Sequence, residues 1–187
     1  NFGQLGGADR ATSLLPRQVG TSTTWREVSA SWQHACATQA DGSAWCWGQN
    51  QRGQLGNGAT ANASTAPVRV LGDQQWTSVS AGGWHSCGTT TSGAAYCWGD
   101  NAFGQVGDGT ITNRNRPTVV GGGLQLVQVA TTWGRTRGVT PTGQAWCWGE
   151  NSNGELGDGT RTNSAKPVQV SDAGTFTGVG KIGRAQV

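Results

Sequence analysis

The distribution of hydrophobic and polar residues along the chain predicts short β-strands and no long helix. Brief runs of β-branched residues, such as Val68-Arg69-Val70 and Thr118-Val119-Val120, are bounded by glycine, proline and small polar residues. Such bounded runs are typical of strands. Apolar residues do not recur over any sustained stretch at the three- and four-residue spacing of an amphipathic helix. The sequence therefore indicates an all-β chain.

The strand pattern repeats about every 50 residues. Each copy closes on an aromatic-Cys-Trp-Gly phrase, found at residues 45–48, 96–99 and 146–149. A second phrase, Gly-Gln-Leu-Gly or a close variant, follows at residues 53–56, 104–107 and 154–157, with an incomplete first copy at 3–6. A fixed period of this length is typical of propellers and solenoids, in which each unit buries its apolar face against a neighbour.

These phrases divide the chain into four segments of one propeller domain. We place the segments at residues 1–48, 49–99, 100–149 and an incomplete 150–187. The sequence enters a repeat phrase already at Asn1, and it stops at Val187 part-way through a strand pattern that earlier copies complete. We therefore expect a fragment or a processed piece.

The hairpin inside each copy can be placed in register from its turn. In the second copy, residues 91–93 form a three-residue loop with glycine last, which is a common hairpin closure. This register sets Cys87 opposite Cys97, and the first copy likewise sets Cys36 opposite Cys46. Directly opposed cysteines of an antiparallel pair lie within disulfide reach. We therefore predict the disulfides Cys36–Cys46 and Cys87–Cys97.

The fifth cysteine, Cys147, faces Arg137 in this register and has no cysteine partner. We expect a small buried hydrophobe there, with a reactive thiol as the alternative. For the paired cysteines the alternative is a metal site, but their ten-residue spacing in separate repeats is not that of zinc ligands. Disulfides persist in oxidising compartments, so the pairs predict a secreted, extracellular or periplasmic protein.

The second copy contains the complete series of repeat phrases. It reads Ala81-Gly82-Gly83-Trp84-His85, then Ser92-Gly93, then Tyr96-Cys97-Trp98-Gly99-Asp100-Asn101, then Gly104-Gln105-Val106-Gly107-Asp108-Gly109-Thr110. In this order the phrases resemble the regulator-of-chromosome-condensation repeat family, and the added cysteines resemble its secreted bacterial branch. The resemblance implies a partial β-propeller, about three and a half blades of a usually seven-bladed ring with four strands per blade. The missing blades would come from the same polypeptide or from another chain.

Composition excludes several classes of function. Glycine accounts for 32 of the 187 residues, which suits a turn-rich β-protein. The net charge of +3 is spread along the chain rather than clustered, so we expect no nucleic-acid partner. No apolar stretch is long enough to span a membrane, so we expect no membrane insertion. No nucleophile, phosphate-binding or metal motif is present, so we expect neither an enzyme nor a cofactor.

We expect the two histidines to be structural, and one asparagine to be a glycosylation site only in a eukaryotic host. His34 and His85 recur at one position, and no carboxylate or second ligand lies at a catalytic or metal-binding spacing from them. We expect each to bond a backbone carbonyl. Asn62 begins the sequon Asn62-Ala63-Ser64 and is a possible glycosylation site if the host is eukaryotic.

The third copy departs most from the others and is the candidate partner surface. Arg135 and Arg137 replace the histidine and the cysteine, Trp133 precedes them, and Arg114 and Arg116 lie upstream. Interfaces favour arginine and aromatic residues, so a protein partner or an assembly neighbour would bind here. The alternative is a drifted, solvated blade edge whose charges carry little energy.

These features predict a non-enzymatic extracellular β-propeller segment that binds another protein or forms part of an assembly. The resemblance leaves two alternatives. One is a guanine-nucleotide exchange factor for a small GTPase, which would work in a reducing compartment. The other is an ultraviolet-sensing propeller, because the chain has ten tryptophans and Trp32-Gln33-His34 partly resembles the Gly-Trp-Arg-His-Thr phrase of the family's photoreceptor.

Seven of the ten tryptophans occupy repeated strand positions and are expected to form core, which argues against light sensing. They are Trp25, Trp45, Trp47, Trp76, Trp98, Trp146 and Trp148.

Overall fold

The computed structural model describes residues 2–7, 9–60, 63–171 and 174–179. Within them, three antiparallel sheets contain four strands each, paired in chain order. The first sheet consists of β1 (Trp25–Ala30), β2 (His34–Gln39), β3 (Ala44–Gly48) and β4 (Ser64–Arg69). The second consists of β5 (Trp76–Ala81), β6 (His85–Thr90), β7 (Ala95–Gly99) and β8 (Arg114–Val119). The third consists of β9 (Gln128–Thr131), β10 (Arg135–Val139), β11 (Ala145–Gly149) and β12 (Ser164–Gln169).

This architecture confirms the all-β class and the partial β-propeller. A short 3₁₀ turn at Gly121–Gly123 joins the second sheet to the third. No helix in the described part of the chain is both long and apolar enough to cross a membrane. Each sheet takes its fourth strand from beyond the closing phrase, and the three sheets span residues 25–69, 76–119 and 128–169.

The first strands of successive sheets lie side by side and are joined by serine side chains. The Ser29 hydroxyl accepts the Ala81 N–H at 3.0 Å, and the Ser80 hydroxyl accepts the Thr131 N–H at 3.1 Å. Each hydroxyl thereby satisfies a backbone donor that no strand within the neighbouring sheet reaches. The sheets consequently stack like blades, and the hydrophobic core lies between them.

The predicted hairpin registers are confirmed. Cys36 pairs with Cys46 and Cys87 with Cys97, each pair disulfide-bonded with Cα atoms 4.0 Å apart. Cys147 lies opposite Arg137, and its thiol is free and buried. Burial raises the pKa of this thiol to about 11, although the nearby Arg137 acts in the opposite direction. A thiol with this pKa is almost entirely protonated at neutral pH, which favours the structural interpretation.

The glycine that ends each aromatic-Cys-Trp-Gly phrase is required by the backbone. Gly99 has a φ of 106°, and a Cβ there would lie 2.6 Å from the Trp84 carbonyl oxygen. Gly48 and Gly149 have nearly the same φ, 102° and 106°. Only glycine adopts this region without strain, so the phrase ends on glycine in every copy.

The last tryptophan of each phrase attaches the preceding Gly-Gln-Leu-Gly loop to its sheet. Three indole N–H groups donate to loop carbonyls at 2.9 Å: Trp47 to Gln4, Trp98 to Gln54 and Trp148 to Gln105. These tryptophans are almost completely buried, as expected for core. Trp45 and Trp146 are only half-buried, because the docked loop covers the last tryptophan of the phrase and does not reach these positions. Trp25 is also half-buried, whereas Trp76 at the same repeat position is 5% exposed.

Candidate interaction site at the tryptophan-bearing end

Three tryptophans from three different sheets meet at one end of the molecule. Each lies in the turn between the first and second strand of its sheet: Trp32, Trp84 and Trp133. The ring centroids of Trp32 and Trp133 are 4.8 Å apart with the rings inclined at 64°, and those of Trp84 and Trp133 are 6.4 Å apart at 83°. Edge-to-face pairs are favourable because the positive edge of one ring meets the negative face of the other. We call these three residues the tryptophan cluster.

Glycines in the second turn bring the cluster together. The Gly83 N–H donates to the Thr132 carbonyl at 2.9 Å, which joins the second turn to the third. A Cβ on Gly82 would lie 2.6 Å from that same carbonyl oxygen, and a Cβ on Gly83 would lie 3.0 Å from the Trp133 ring. Because the second turn has no side chains at Gly82 and Gly83, Trp32 of the first sheet can reach Trp133 of the third.

The cluster presents a large apolar surface to solvent. Trp32 is 71% exposed and Trp133 is 44% exposed, while Trp84 is half-buried between sheets. Phe103, 36% exposed, lies against the backbone of Gly134 in the third turn and extends the surface. Contiguous exposed aromatic surface of this kind marks interaction sites in soluble proteins.

Polar groups surround this apolar centre. The residue after each closing phrase donates its N–H to a carbonyl of the tryptophan-bearing turn: Gln49 to Gln33 at 2.7 Å, Asp100 to Trp84 at 2.9 Å and Glu150 to Gly134 at 3.0 Å. The Asp100 carboxylate accepts from the Gln105 amide at 2.8 Å and lies 3.7 Å from the Arg52 guanidinium. An apolar centre with a polar rim is the usual organisation of a protein interface.

The structure places the five sequence candidates in three separate regions. Trp133 belongs to the tryptophan cluster. Arg135 and Arg137 lie on β10, where Arg135 pairs with Glu155 and Arg137 is half-buried. Arg114 and Arg116 lie on β8, the outermost strand of the second sheet.

Arg114 is engaged within its own sheet, and Arg116 points to solvent. The Arg114 Nε donates to Asp108 at 2.7 Å, and its Nη2 donates to the Thr110 hydroxyl at 3.2 Å. Burial alone would raise the pKa of Asp108, but hydrogen bonds from Thr110 and the charge of Arg114 lower it overall. This network supports the loop after β7. Arg116 remains an exposed cation on the edge strand of the second sheet.

The histidines are structural, but their partners differ from the expected backbone carbonyls. The His34 Nε2 lies 2.8 Å from the Ser86 hydroxyl, which donates onward to the Gln54 carbonyl at 2.9 Å. Because that hydroxyl proton is engaged, the imidazole must donate from Nε2. His85 repeats the arrangement with Thr136 at 2.9 Å. The expected carbonyl was wrong because the acceptor belongs to the next sheet, about 50 residues away.

Burial keeps both imidazoles neutral. It lowers the pKa of His34 to about 4. For His85, burial and then the nearby His34 lower the pKa to about 3. No group of three or more His, Cys, Asp or Glu side chains among the described residues could hold a metal ion. The sequon residue Asn62 lies outside the described residues.

The sequence predicts Trp133 as a site residue but not Trp32 or Trp84. A signal was present, because Trp32 and Trp133 each stand two residues before the histidine position of their copy. Trp84 stands one residue before it, and the shift concealed its membership. Only the stacking of the sheets shows that the three turns converge.

Comparison with known families matches most of the chain. The sequence profile of the regulator of chromosome condensation (RCC1) repeat matches residues 41–88, 92–135 and 142–181. A second profile of the same description matches residues 25–54 and 76–105. These matches cover every sheet.

Curated relatives are much longer than this chain. The ultraviolet-B receptor UVR8 of Arabidopsis thaliana is 32% identical over 122 residues, which are 64% of this chain and 28% of that protein. The human E3 ubiquitin-protein ligase HERC2 is 31% identical over 137 residues, which are 70% of this chain and 3% of that protein. The chain therefore spans less than a third of either relative.

Solved structures share the fold at lower identity. Prp20p of Saccharomyces cerevisiae superposes with a TM-score of 0.80 at 22% identity, covering 91% of this chain and 44% of that one. Human WBSCR16 superposes with a TM-score of 0.79 at 20% identity, covering 91% and 45%. Repeat profiles, strand order and superposition agree, and the chain belongs to the regulator of chromosome condensation (RCC1) repeat family.

Proposed function

We propose that this chain is a non-enzymatic protein-interaction segment of an RCC1-type β-propeller, with the tryptophan cluster as its binding surface. The observation that carries the proposal is the exposure of Trp32 and Trp133 at the convergence of three sheets. Large aromatic side chains held rigidly by neighbouring rings lose little conformational entropy on binding and are enriched among residues that dominate interface energies.

The comparisons support a protein partner in general terms. Prp20p, which shares the fold, is described as binding Gsp1p and histones. Fold likeness does not transfer those partners, so the partner here is defined by chemistry. It should bring apolar surface to the cluster and hydrogen-bond donors to the rim carboxylates of Asp100 and Glu150. The expectation of no nucleic-acid partner stays a prediction from the dispersed charge.

Alanine substitution tests the binding surface. We expect Trp32→Ala and Trp133→Ala each to weaken partner binding about tenfold or more, as truncation of a central aromatic contact does. Binding is measured by surface plasmon resonance with the partner recovered by cross-linking. Ile111→Ala and Val119→Ala are matched controls, because these residues are 69% and 55% exposed and lie outside the cluster. Equal weakening by the controls, or unchanged binding by both tryptophan variants, would contradict the proposal.

The disulfides support an extracellular or periplasmic location, which we include in the proposal. A thiol titration of denatured, non-reduced protein from its native source should find one free thiol, that of Cys147. Five free thiols would remove the extracellular assignment. They would favour instead the alternative of an exchange factor working in a reducing compartment.

Light sensing is a second candidate, favoured by the ring contacts of the tryptophan cluster together with the similarity to an ultraviolet-B receptor. Indole rings absorb in the ultraviolet, and rings in contact couple electronically. If the cluster is a photosensor, ultraviolet-B illumination should change the hydrodynamic size or partner affinity of the wild type and leave Trp133→Phe unaffected. The same size and affinity before and after illumination would eliminate this candidate.

A further inference from the structure

The Gly-Gln-Leu-Gly loops at residues 53–56 and 104–107 are covered by a following sheet, whereas the last loop, at residues 154–157, is left uncovered. Residues 53–56 and 104–107 are buried, and a Cβ on Gly53 would lie 2.6 Å from Asn115 Cα of the next sheet. Gly154, Glu155 and Gly157 are only half-buried, and the nearest atom to a Cβ on Gly154 is an oxygen of its own loop, 3.7 Å away. The loop at residues 154–157 therefore lacks a covering sheet among the described residues.

One side chain at each existing interface contacts two positions of the preceding sheet. The Ser86 hydroxyl lies 2.8 Å from His34 Nε2 and 3.6 Å from Cys36 Sγ. The Thr136 hydroxyl lies 2.9 Å from His85 Nε2 and 3.7 Å from Cys87 Sγ. The residue at this hydroxyl position therefore faces both the histidine and the cysteine position of the preceding sheet.

In the third sheet both of those positions are cationic. Arg135 replaces the histidine, Arg137 replaces the cysteine, and Glu155 replaces the loop glutamine. We call Arg135, Arg137 and Glu155 the open face of the third sheet. Arg135 and Glu155 form an ion pair, whereas the guanidinium of Arg137 has no hydrogen bond or ion pair with any described residue although Arg137 is half-buried. One positive charge on the open face is therefore uncompensated.

The chain itself begins to build a further blade at this face. The Phe176 N–H donates to Gly143 O at 2.9 Å, as Trp76 does to Gly42 O at 2.8 Å. Val179 is 4% exposed, and its N–H lies 3.2 Å from the Gln128 side-chain oxygen. The established sheet-to-sheet geometry thus continues beyond the third sheet.

We propose that the open face of the third sheet docks a fourth RCC1-type blade that carries an aspartate or glutamate at the hydroxyl position. A carboxylate there would face the positions of both guanidinium groups and neutralise the face, and arginine forms strong hydrogen-bonded pairs with carboxylates. The same blade would supply an indole N–H to the Glu155 carbonyl, to which no described residue donates. The two arginines that replace histidine and cysteine would then select a blade with an acidic residue at this position, rather than being a change without effect on blade packing.

The same chemistry disfavours a second copy of this chain as the occupant. A copy docked head to tail would present Ala35, the residue of the first sheet at the position of Ser86 and Thr136. Alanine offers no acceptor, so Arg137 would be buried unpaired, and burying an unpaired charge is strongly unfavourable.

A chain extended by one blade tests the proposal. Residues 171–187 are replaced by a second copy of residues 121–170, in which the copied Thr136 position is threonine, asparagine or aspartate. We expect slower amide hydrogen exchange at residues 154–157 than in the unextended chain. We also expect a higher urea midpoint for aspartate than for the isosteric asparagine. This advantage should disappear in the Arg137→Gln background.

A second set of variants keeps the test decisive if one variant of the first set folds poorly. With Arg135→His and Arg137→Ala, which remove both positive charges of the open face, threonine should give a higher urea midpoint than aspartate. Equal midpoints for aspartate and asparagine, or an aspartate advantage that survives Arg137→Gln, overturn the proposal. It is also overturned if no extended variant slows exchange at residues 154–157. Sedimentation showing that the unextended chain dimerises with those amides protected would identify a second copy as the occupant instead.

Discussion

At the scale of the residue, the buried histidines couple adjacent sheets. Each imidazole donates to a hydroxyl of the next sheet, and that hydroxyl donates to a loop carbonyl. The arrangement requires the neutral imidazole, because a protonated ring would bury a charge with its Nδ1–H unsatisfied. The hydrogen-bond chain is therefore a structural link that depends on pH.

Acid should weaken this link. His34 and His85 have lower pKa values in the folded state, about 4 and about 3, than the ordinary 6.5 expected when unfolded. The unfolded chain therefore binds more protons, and stability falls as the pH drops below 6.5 towards those folded values. Between pH 7 and pH 5 the free energy of unfolding should fall by about 2 kcal/mol per histidine.

Urea unfolding at pH 7, 6 and 5 measures this dependence. His85→Gln should be less stable than wild type at pH 7 and should lose about half of the pH dependence. Over this pH range the carboxylates with lowered pKa, such as Asp108, stay ionised and contribute little to the slope. Wild-type stability that is flat from pH 7 to pH 5 would contradict the neutral, buried assignment.

At the scale of the element, the loop and the following sheet form the packing unit. The last tryptophan of each closing phrase inserts under the loop of the preceding copy and donates to its carbonyl. The first aromatic residue of the phrase lies on the same strand face but is only half-buried. The two aromatic positions look equivalent in the sequence, but we expect them to contribute differently to the free energy of unfolding.

Substituting phenylalanine at both positions measures the difference. Trp98→Phe removes the buried donor to Gln54 and leaves a small cavity, so it should cost about 2 kcal/mol or more. Trp45→Phe is the matched control, because its half-buried indole donates only to the nearby Ser43 hydroxyl and should cost less than about 1 kcal/mol. Differential scanning calorimetry of both variants provides the comparison. A cost at Trp45 equal to that at Trp98 would show that the loop does not distinguish them.

The hairpins were the elements most fully predictable from sequence. A three-residue turn with glycine last determined which residues face one another, and the register therefore followed from local chemistry. The half-burial of Trp45 and Trp146 was not predictable, because it depends on how far a loop from another repeat extends over the strand.

At the scale of the whole molecule, a residue's burial depends on whether a sheet precedes or follows it. Val28, Val79 and Val129 occupy the same repeat position. Val79 and Val129 are 2% and 4% exposed, whereas Val28 is 66% exposed because no described sheet precedes the first. Identical sequence positions thus have different energetic roles.

The valine pair provides a matched test of the stacking. Val79→Ala should destabilise the protein by about 2 kcal/mol, because it removes buried methyl groups and leaves a cavity. Val28→Ala should change the stability by less than about 0.5 kcal/mol, as exposed substitutions do. Chemical unfolding of the two variants measures both. Similar losses would mean that another segment covers Val28 in solution.

The candidate site was only partly predictable. Trp133 stood out because its copy departs from the others, but Arg114 and Arg116 shared that signal and lie on an outer strand. A residue that differs between copies is one that the packing of the repeat does not require. The difference alone does not predict whether that residue faces solvent, forms an ion pair or joins a cluster. The distinction between the tryptophan cluster and the open face came only from the structure.

The sequence by itself determined the strands, the repeat, the hairpin registers and both disulfides. These features depend on turns and on residues within about ten positions of one another. Only the tertiary structure decided the histidine partners, the convergence of Trp32, Trp84 and Trp133, and the uncompensated charge of Arg137. The first two depend on side chains about 50 or more residues apart, which the stacking of separate sheets brings into contact. The third arises because no described sheet stacks against the face that bears Arg137.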